Sequence, residues 1–113
     1  MITATFEKNE GKFISMSVVG HAGQAEVGKD IVCSAASILA YTVAQTLTQM
    51  HTQGWLKKKP HLNLKEGRSV ITCVPKSEYY EECLMVFFVA EVGYTLLAKN
   101  YPQYVALKPF GEA

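Results

Sequence analysis

The chain has 113 residues, a length that suits one domain with a single hydrophobic core. Its composition, 49% hydrophobic and 19% charged, is typical of a folded globular protein and argues against disorder along the whole chain. The formal net charge of +1 gives no electrostatic reason to expect binding to nucleic acid or to an anionic membrane. We therefore expect a single domain over residues 1–113, with no direct nucleic-acid partner and no membrane partner.

Residues 2–8 and 12–20 alternate between apolar and polar positions, which predicts two half-buried strands. The turn signal Asn9-Glu10-Gly11 lies between them, because glycine tolerates a positive φ there. The first two strands should therefore form an antiparallel hairpin. Residues 1–6 lack a basic region followed by an apolar run, so they do not predict a signal peptide, and we expect a cytoplasmic location.

A loop over residues 21–29 precedes the longest predicted helix. Gly23, Gly28 and the small number of large apolar residues indicate that this loop is mobile. Asp30 is a good N-cap, and residues 31–51 contain neither glycine nor proline. Small or apolar residues cover most of this helix, so we expect it to pack on more than one side at the centre of the domain. Polar residues interrupt its apolar run, which therefore does not predict a membrane span.

The C-terminal half predicts a second hairpin, a second helix and a last strand. Strand patterns at 62–64 and 70–74 flank the turn Glu66-Gly67, and Ser77 can cap the second helix. Residues 104–108 alternate like a strand. The order β-β-α-β-β-α-β, with strand pairs joined by short turns, predicts an α+β fold with a small, largely antiparallel sheet and two helices.

The three cysteines are Cys33, Cys73 and Cys83. An odd, sparse set of cysteines argues against a disulfide framework. Cys73 falls in a strand pattern and Cys83 in an apolar helix, so we interpret both as structural. The three histidines lack the spacing of a structural zinc site.

Cys33 would be the third residue of the first helix. The partial positive charge and backbone N–H groups at a helix N-terminus favour a thiolate and can bind an oxyanion. His21 ends the second strand and can face the start of this helix. A cysteine and a histidine within hydrogen-bond reach are sufficient for nucleophilic attack on an amide. Asp30 can orient the imidazole, and Ser37, one turn after Cys33, can reach the same site.

The same residues also have simpler interpretations. A cysteine at the start of an apolar helix is more often a core residue, and Asp30 can be an N-cap and nothing more. A histidine at a strand end is more often a surface or capping residue. A third alternative is a metal site formed by His21, Cys33 and Asp30. The pattern of residues alone leaves these alternatives open.

A resemblance to a known family adds to this interpretation. Gly20-His21-Ala22-Gly23, then Gly28, then the segment from Asp30-Ile31-Val32-Cys33 to Ser37 resemble the signature of the ribosomal-processing cysteine protease family, Prp. Chain length and element order are also similar to those of the family.

The resemblance implies an endopeptidase that removes a short N-terminal extension from a bacterial large-subunit ribosomal protein. It implies that His21 and Cys33 are the catalytic pair, and that Asp30 and Ser37 are supporting residues. It also implies a homodimer, for which the apolar second helix is a candidate surface, and a mobile loop before the cysteine that moves when substrate binds. No cofactor or metal is needed for this chemistry. The competing hypothesis is a non-enzymatic ribosome-assembly or binding module with Cys33 in the core.

Overall fold

The computed structural model describes residues 1–21 and 30–111. Within these residues the elements follow the predicted order β-β-α-β-β-α-β. The elements are β1 (Ile2–Asn9), β2 (Phe13–Gly20), α1 (Ile31–Thr52), β3 (His61–Lys65), β4 (Arg68–Cys73), α2 (Tyr80–Asn100) and β5 (Val105–Lys108).

The strands form one five-stranded sheet in the order β3-β4-β2-β1-β5. Both predicted hairpins are present, and β2 also pairs antiparallel with β4. The last strand, β5, returns beside β1 and pairs with it in parallel. The prediction of an α+β fold with a largely antiparallel sheet is confirmed, and the parallel pair makes the sheet mixed. A parallel pair needs a long crossover, which the intervening elements supply.

The two faces of the sheet differ in polarity. Ile2, Phe6 and Met16 are buried on one face, where they join the core formed with the two helices. The opposite face is polar, and there the hydroxyls of Ser15 and Thr72 form a cross-strand hydrogen bond of 2.8 Å. This alternation follows from the period of two in a strand, and it places α1 and α2 together on the apolar face.

Helix α1 packs against both the sheet and α2, as its apolar surface predicts. Its buried residues are Val32, Ala36, Ala40, Val43, Ala44, Leu47 and Met50. Its outward face is not covered, since Ile38 is 61% exposed. By length and composition alone, α1 is the one described helix that could cross a membrane. A buried core helix meets the same criteria, and the contacts of α1 with the sheet are those of a core helix.

The start of α2 differs from its prediction. Ser77 does not cap the helix; it begins a single 3₁₀ turn over Ser77–Tyr79, and α2 starts at Tyr80. Tyr79 occupies the N-cap position and makes no side-chain capping bond. Short 3₁₀ turns are frequent at helix N-termini, where they supply local hydrogen bonds in place of a side-chain cap.

Candidate active site

The N-terminus of α1 is built around Asp30. Its backbone is extended, and its Oδ1 atom accepts hydrogen bonds from the backbone N–H groups of Val32 and Cys33, each at 3.0 Å. The predicted N-cap is therefore confirmed. Asp30 is only 7% exposed, so this cap is held inside the domain and fixes the first turn of α1.

Cys33 lies in this first turn. Its side chain is half-buried, packs against the edge of the core and lines a groove at the surface. Ser37 and Tyr41 follow at intervals of four residues along the same helix, and both line the groove. Ala36 and Ala40 complete this wall. The small residues on α1 therefore leave open space beside the thiol.

The end of β2 approaches the turn between β3 and β4. The N–H group of Gly20 donates a hydrogen bond of 2.8 Å to the carbonyl of Gly67 in that turn. Gly20 has a φ of +106°, and a Cβ atom there would collide with the carbonyl of Met1, so a larger residue would not fit. The chain therefore leaves β2 at a fixed point, directly before His21.

The imidazole of His21 packs against Gly67. A Cβ atom added at Gly67 would lie 2.7 Å from Nε2 of His21, closer than such atoms approach in proteins. Gly67 also has a φ of +77°, a conformation that favours glycine. The turn between β3 and β4 therefore does more than connect two strands, because its glycine leaves room for the histidine ring.

His21, Cys33 and Ser37 line one groove of about 320 Å³. One wall is α1, and the other is the turn from Lys65 to Ser69. Asp30 is not among the described residues that line it, and a contact between Asp30 and His21 stays a prediction. Gly23 and Gly28 lie outside the described residues, so the expectation of a mobile loop also stays a prediction.

The other two cysteines are buried in the core, with exposures of 1% for Cys73 and 0% for Cys83. A hydrogen bond with Cys83 and burial raise the pKa of the Cys73 thiol well above its ordinary value. A thiol in this state is a poor nucleophile. Cys33 is thus the one cysteine whose side chain lines the groove.

A metal site is one of the alternatives that the sequence leaves open. Within residues 1–21 and 30–111, no three histidine, cysteine or acidic side chains come together in an arrangement that could bind an ion. The geometry therefore gives no support to a zinc site formed by His21, Cys33 and Asp30.

Sequence patterns missed two features of the groove. Gly67 was predicted only as a turn residue, and its contact with His21 depends on strand pairing between distant segments. Tyr41 was not singled out, although its position eight residues after Cys33 places both on one helix face. Helical spacing from Cys33 was the signal that could have identified it.

Comparison with known proteins identifies the family of the chain. The sequence profile of a family described as cysteine protease Prp matches residues 1–106 of the chain. The chain belongs to the Prp cysteine protease family. None of the curated proteins searched matches it significantly.

Solved structures of similar proteins share the fold. The essential ribosomal processing protease Prp from S. aureus, with a covalently linked product peptide, has a TM-score of 0.75 at 24% identity, over 97% of this chain and 99% of the other. The same protease with a substrate peptide has a TM-score of 0.68 at 18% identity over the same shares. SMU.848 from Streptococcus mutans has a TM-score of 0.67 at 28% identity, over 96% and 92%. The Prp fold therefore extends over nearly the whole chain.

Proposed function

We propose that this Prp-family chain is a cysteine endopeptidase that removes a short N-terminal extension from a bacterial large-subunit ribosomal protein. The observation that carries the proposal is the groove that Cys33 and His21 line together. The ribosomal processing protease of S. aureus, which has this fold, holds a substrate peptide in one structure and a covalently linked product peptide in another. A covalent product fits attack by a cysteine thiolate. We also propose that the reaction takes place in the cytoplasm.

The proposed reaction is acyl transfer. His21 takes the proton of the Cys33 thiol, and the sulfur attacks the scissile carbonyl carbon. When the tetrahedral intermediate collapses, the C–N bond breaks and His21 gives its proton to the leaving amine. Water then attacks the thioester and transfers a proton to His21. When this second tetrahedral intermediate collapses, the C–S bond breaks, His21 returns the proton to the sulfur of Cys33, and the new carboxylic acid is released. No cofactor or metal enters these steps.

The oxyanion needs hydrogen-bond donors near the sulfur. The sequence predicts donors among the backbone N–H groups at the start of α1. Two of these groups, those of Val32 and Cys33, donate to Oδ1 of Asp30. Asp30 therefore competes with an oxyanion for these two groups, and it also stabilises the turn that holds Cys33. We propose that Asp30 acts as a positioning residue through the first turn of α1. Ser37 faces the groove, where its hydroxyl can donate to bound substrate.

The N-terminus of the ribosomal protein tests the proposed function directly. We expect mass spectrometry to find the mature N-terminus in cells that contain this protein and the extended form in cells that lack it. Incubating the purified extended ribosomal protein with this chain should produce the same mature N-terminus, which identifies the cleavage junction. The same N-terminus in both kinds of cell, together with no cleavage in vitro, would contradict the proposal.

We also propose that the protein is a homodimer that uses the outer face of α2. The exposed apolar residues of this face recur at helical spacing, with exposures from 44% to 63%. They are Met85, Phe88, Val89, Val92 and Leu96. Ile38 of α1 continues the apolar surface across the seam between the helices. Contiguous apolar patches of this kind are typical of protein–protein interfaces.

Replacing Val89 with glutamate is expected to convert the dimer into monomers. Val89 is 63% exposed, so the charge costs little in the monomer but would be buried in the interface. We expect the dissociation constant to rise at least about 100-fold, measured by analytical ultracentrifugation. Val19→Glu is the matched control, because Val19 is 39% exposed on the opposite, polar face of the sheet. A wild-type monomer, or equal dissociation constants for both variants, would exclude this surface.

A further inference from the structure

Tyr94 connects the two helices. It lies on α2, is 0% exposed, and its hydroxyl donates a hydrogen bond of 2.6 Å to the backbone carbonyl of Ala36 on α1. The two residues are 58 positions apart in the chain. The bond therefore fixes the contact between helices that meet only through tertiary packing.

The residue that accepts this hydrogen bond, Ala36, also lines the groove. Ala36 lies one helical turn after Cys33, and both Ala36 and Ala40 line the groove. Burial raises the pKa of Tyr94 above its ordinary value, so the hydroxyl stays protonated and remains a donor.

A hydroxyl at this position is not needed to fill the core. The ring of Tyr94 packs against Phe6 with centroids 6.0 Å apart, and phenylalanine would make the same contact. The carbonyl of Ala36 lies inside α1, where the helix itself supplies a donor four residues later. The hydroxyl therefore constrains the position of α1. It is not needed as a hydrogen-bond donor for the Ala36 carbonyl.

The position of α1 matters because the two proposed catalytic groups lie on different walls. Cys33 is carried by α1, whereas His21 packs against Gly67 of the turn between β3 and β4. A shift of α1 relative to the sheet changes the separation of sulfur and imidazole. A misplacement of about 1 Å can cost on the order of 10²-fold in rate.

We propose that Tyr94 is a positioning residue for Cys33: its hydrogen bond to Ala36 holds α1 at the distance from His21 that proton transfer requires. The proposal rests on the proposed protease function.

The test compares Tyr94→Phe with Tyr80→Phe. Tyr80 is the matched control because it lies on the same helix and its hydroxyl is buried without a hydrogen-bond partner among the described residues. Each variant removes one buried hydroxyl and keeps the ring, so we expect both to fold. Rates are divided by the folded fraction, measured by circular dichroism. The substrate is a peptide that spans the junction identified by N-terminal mapping, and the probe of the thiol is iodoacetamide.

For Tyr94→Phe we expect kcat to fall about tenfold with KM unchanged, and alkylation of Cys33 at neutral pH to slow about threefold. For Tyr80→Phe we expect both rates within about twofold of wild type. If either kcat or the alkylation rate of Tyr94→Phe equals that of wild type, Tyr94 has only a structural role and the proposal is overturned. If wild type itself cleaves no peptide, the protease function fails, and the positioning role fails with it.

Discussion

Replacing Cys33 with alanine is expected to abolish proteolysis while the fold stays intact. The substitution removes only the sulfur atom, and the side chain is half-buried at the edge of the groove, so little packing is lost. Without the nucleophile no acyl-enzyme forms, and we expect kcat to fall at least about 10³-fold. Cleavage of the junction peptide and thermal unfolding by circular dichroism measure the two effects separately.

Cys73→Ala is the matched control for this experiment. It also removes one sulfur, but from a thiol that is buried in the core at 1% exposure. We expect it to lower the free energy of unfolding by about 1–3 kcal/mol and to leave cleavage per folded molecule unchanged. The two cysteines should therefore show opposite patterns of stability and activity.

Unchanged cleavage by Cys33→Ala would exclude Cys33 as the nucleophile, whereas the binding-module hypothesis predicts no cleavage by wild type or variant. The pH dependence of alkylation by iodoacetamide separates the same two hypotheses without a substrate. A nucleophile assisted by His21 should react at neutral pH, whereas a thiol that belongs to the core should react slowly at every pH.

The elements of the fold that depend on local sequence were predictable. Alternation of apolar and polar residues identified the strands, and Asp30 was a visible cap because a carboxylate satisfies the free N–H groups of a helix start. Ser77 has the same chemistry but does not cap α2, since a 3₁₀ turn intervenes. The residue type makes a side chain a candidate N-cap, but the conformation of the surrounding backbone determines whether that side chain caps the helix.

The elements that depend on distant segments were not predictable from one sequence. Parallel pairing of β5 with β1, the contact of Gly67 with His21 and the bond from Tyr94 to Ala36 all join residues far apart in the chain. Periodicity reports which face of an element is apolar, but not which element covers it. The motif around Cys33 predicts His21 and Cys33 as the catalytic pair, and the fold places these two residues on two walls of one groove.

The substitution Gly67→Ala tests this register, because it displaces the imidazole of His21 without replacing His21 itself. A Cβ atom at Gly67 would lie 2.7 Å from Nε2 of His21, so the imidazole must move away from its position in the groove. We expect kcat/KM to fall about 10- to 100-fold. The φ of +77° adds backbone strain, so we also expect the free energy of unfolding to fall by about 1–2 kcal/mol.

Gly11→Ala separates the two effects. Gly11 also lies in a hairpin turn, with a φ of +79°, but a Cβ atom there meets nothing within 4 Å. It should lose about as much stability as Gly67→Ala and keep wild-type kcat/KM, since both variants share the backbone strain and only one displaces the imidazole. In a His21→Ala background, Gly67→Ala should cause no further loss of activity, because the group it displaces is absent. A further loss there would mean that Gly67 acts on the groove independently of His21, and that the turn contributes to substrate binding through its own backbone.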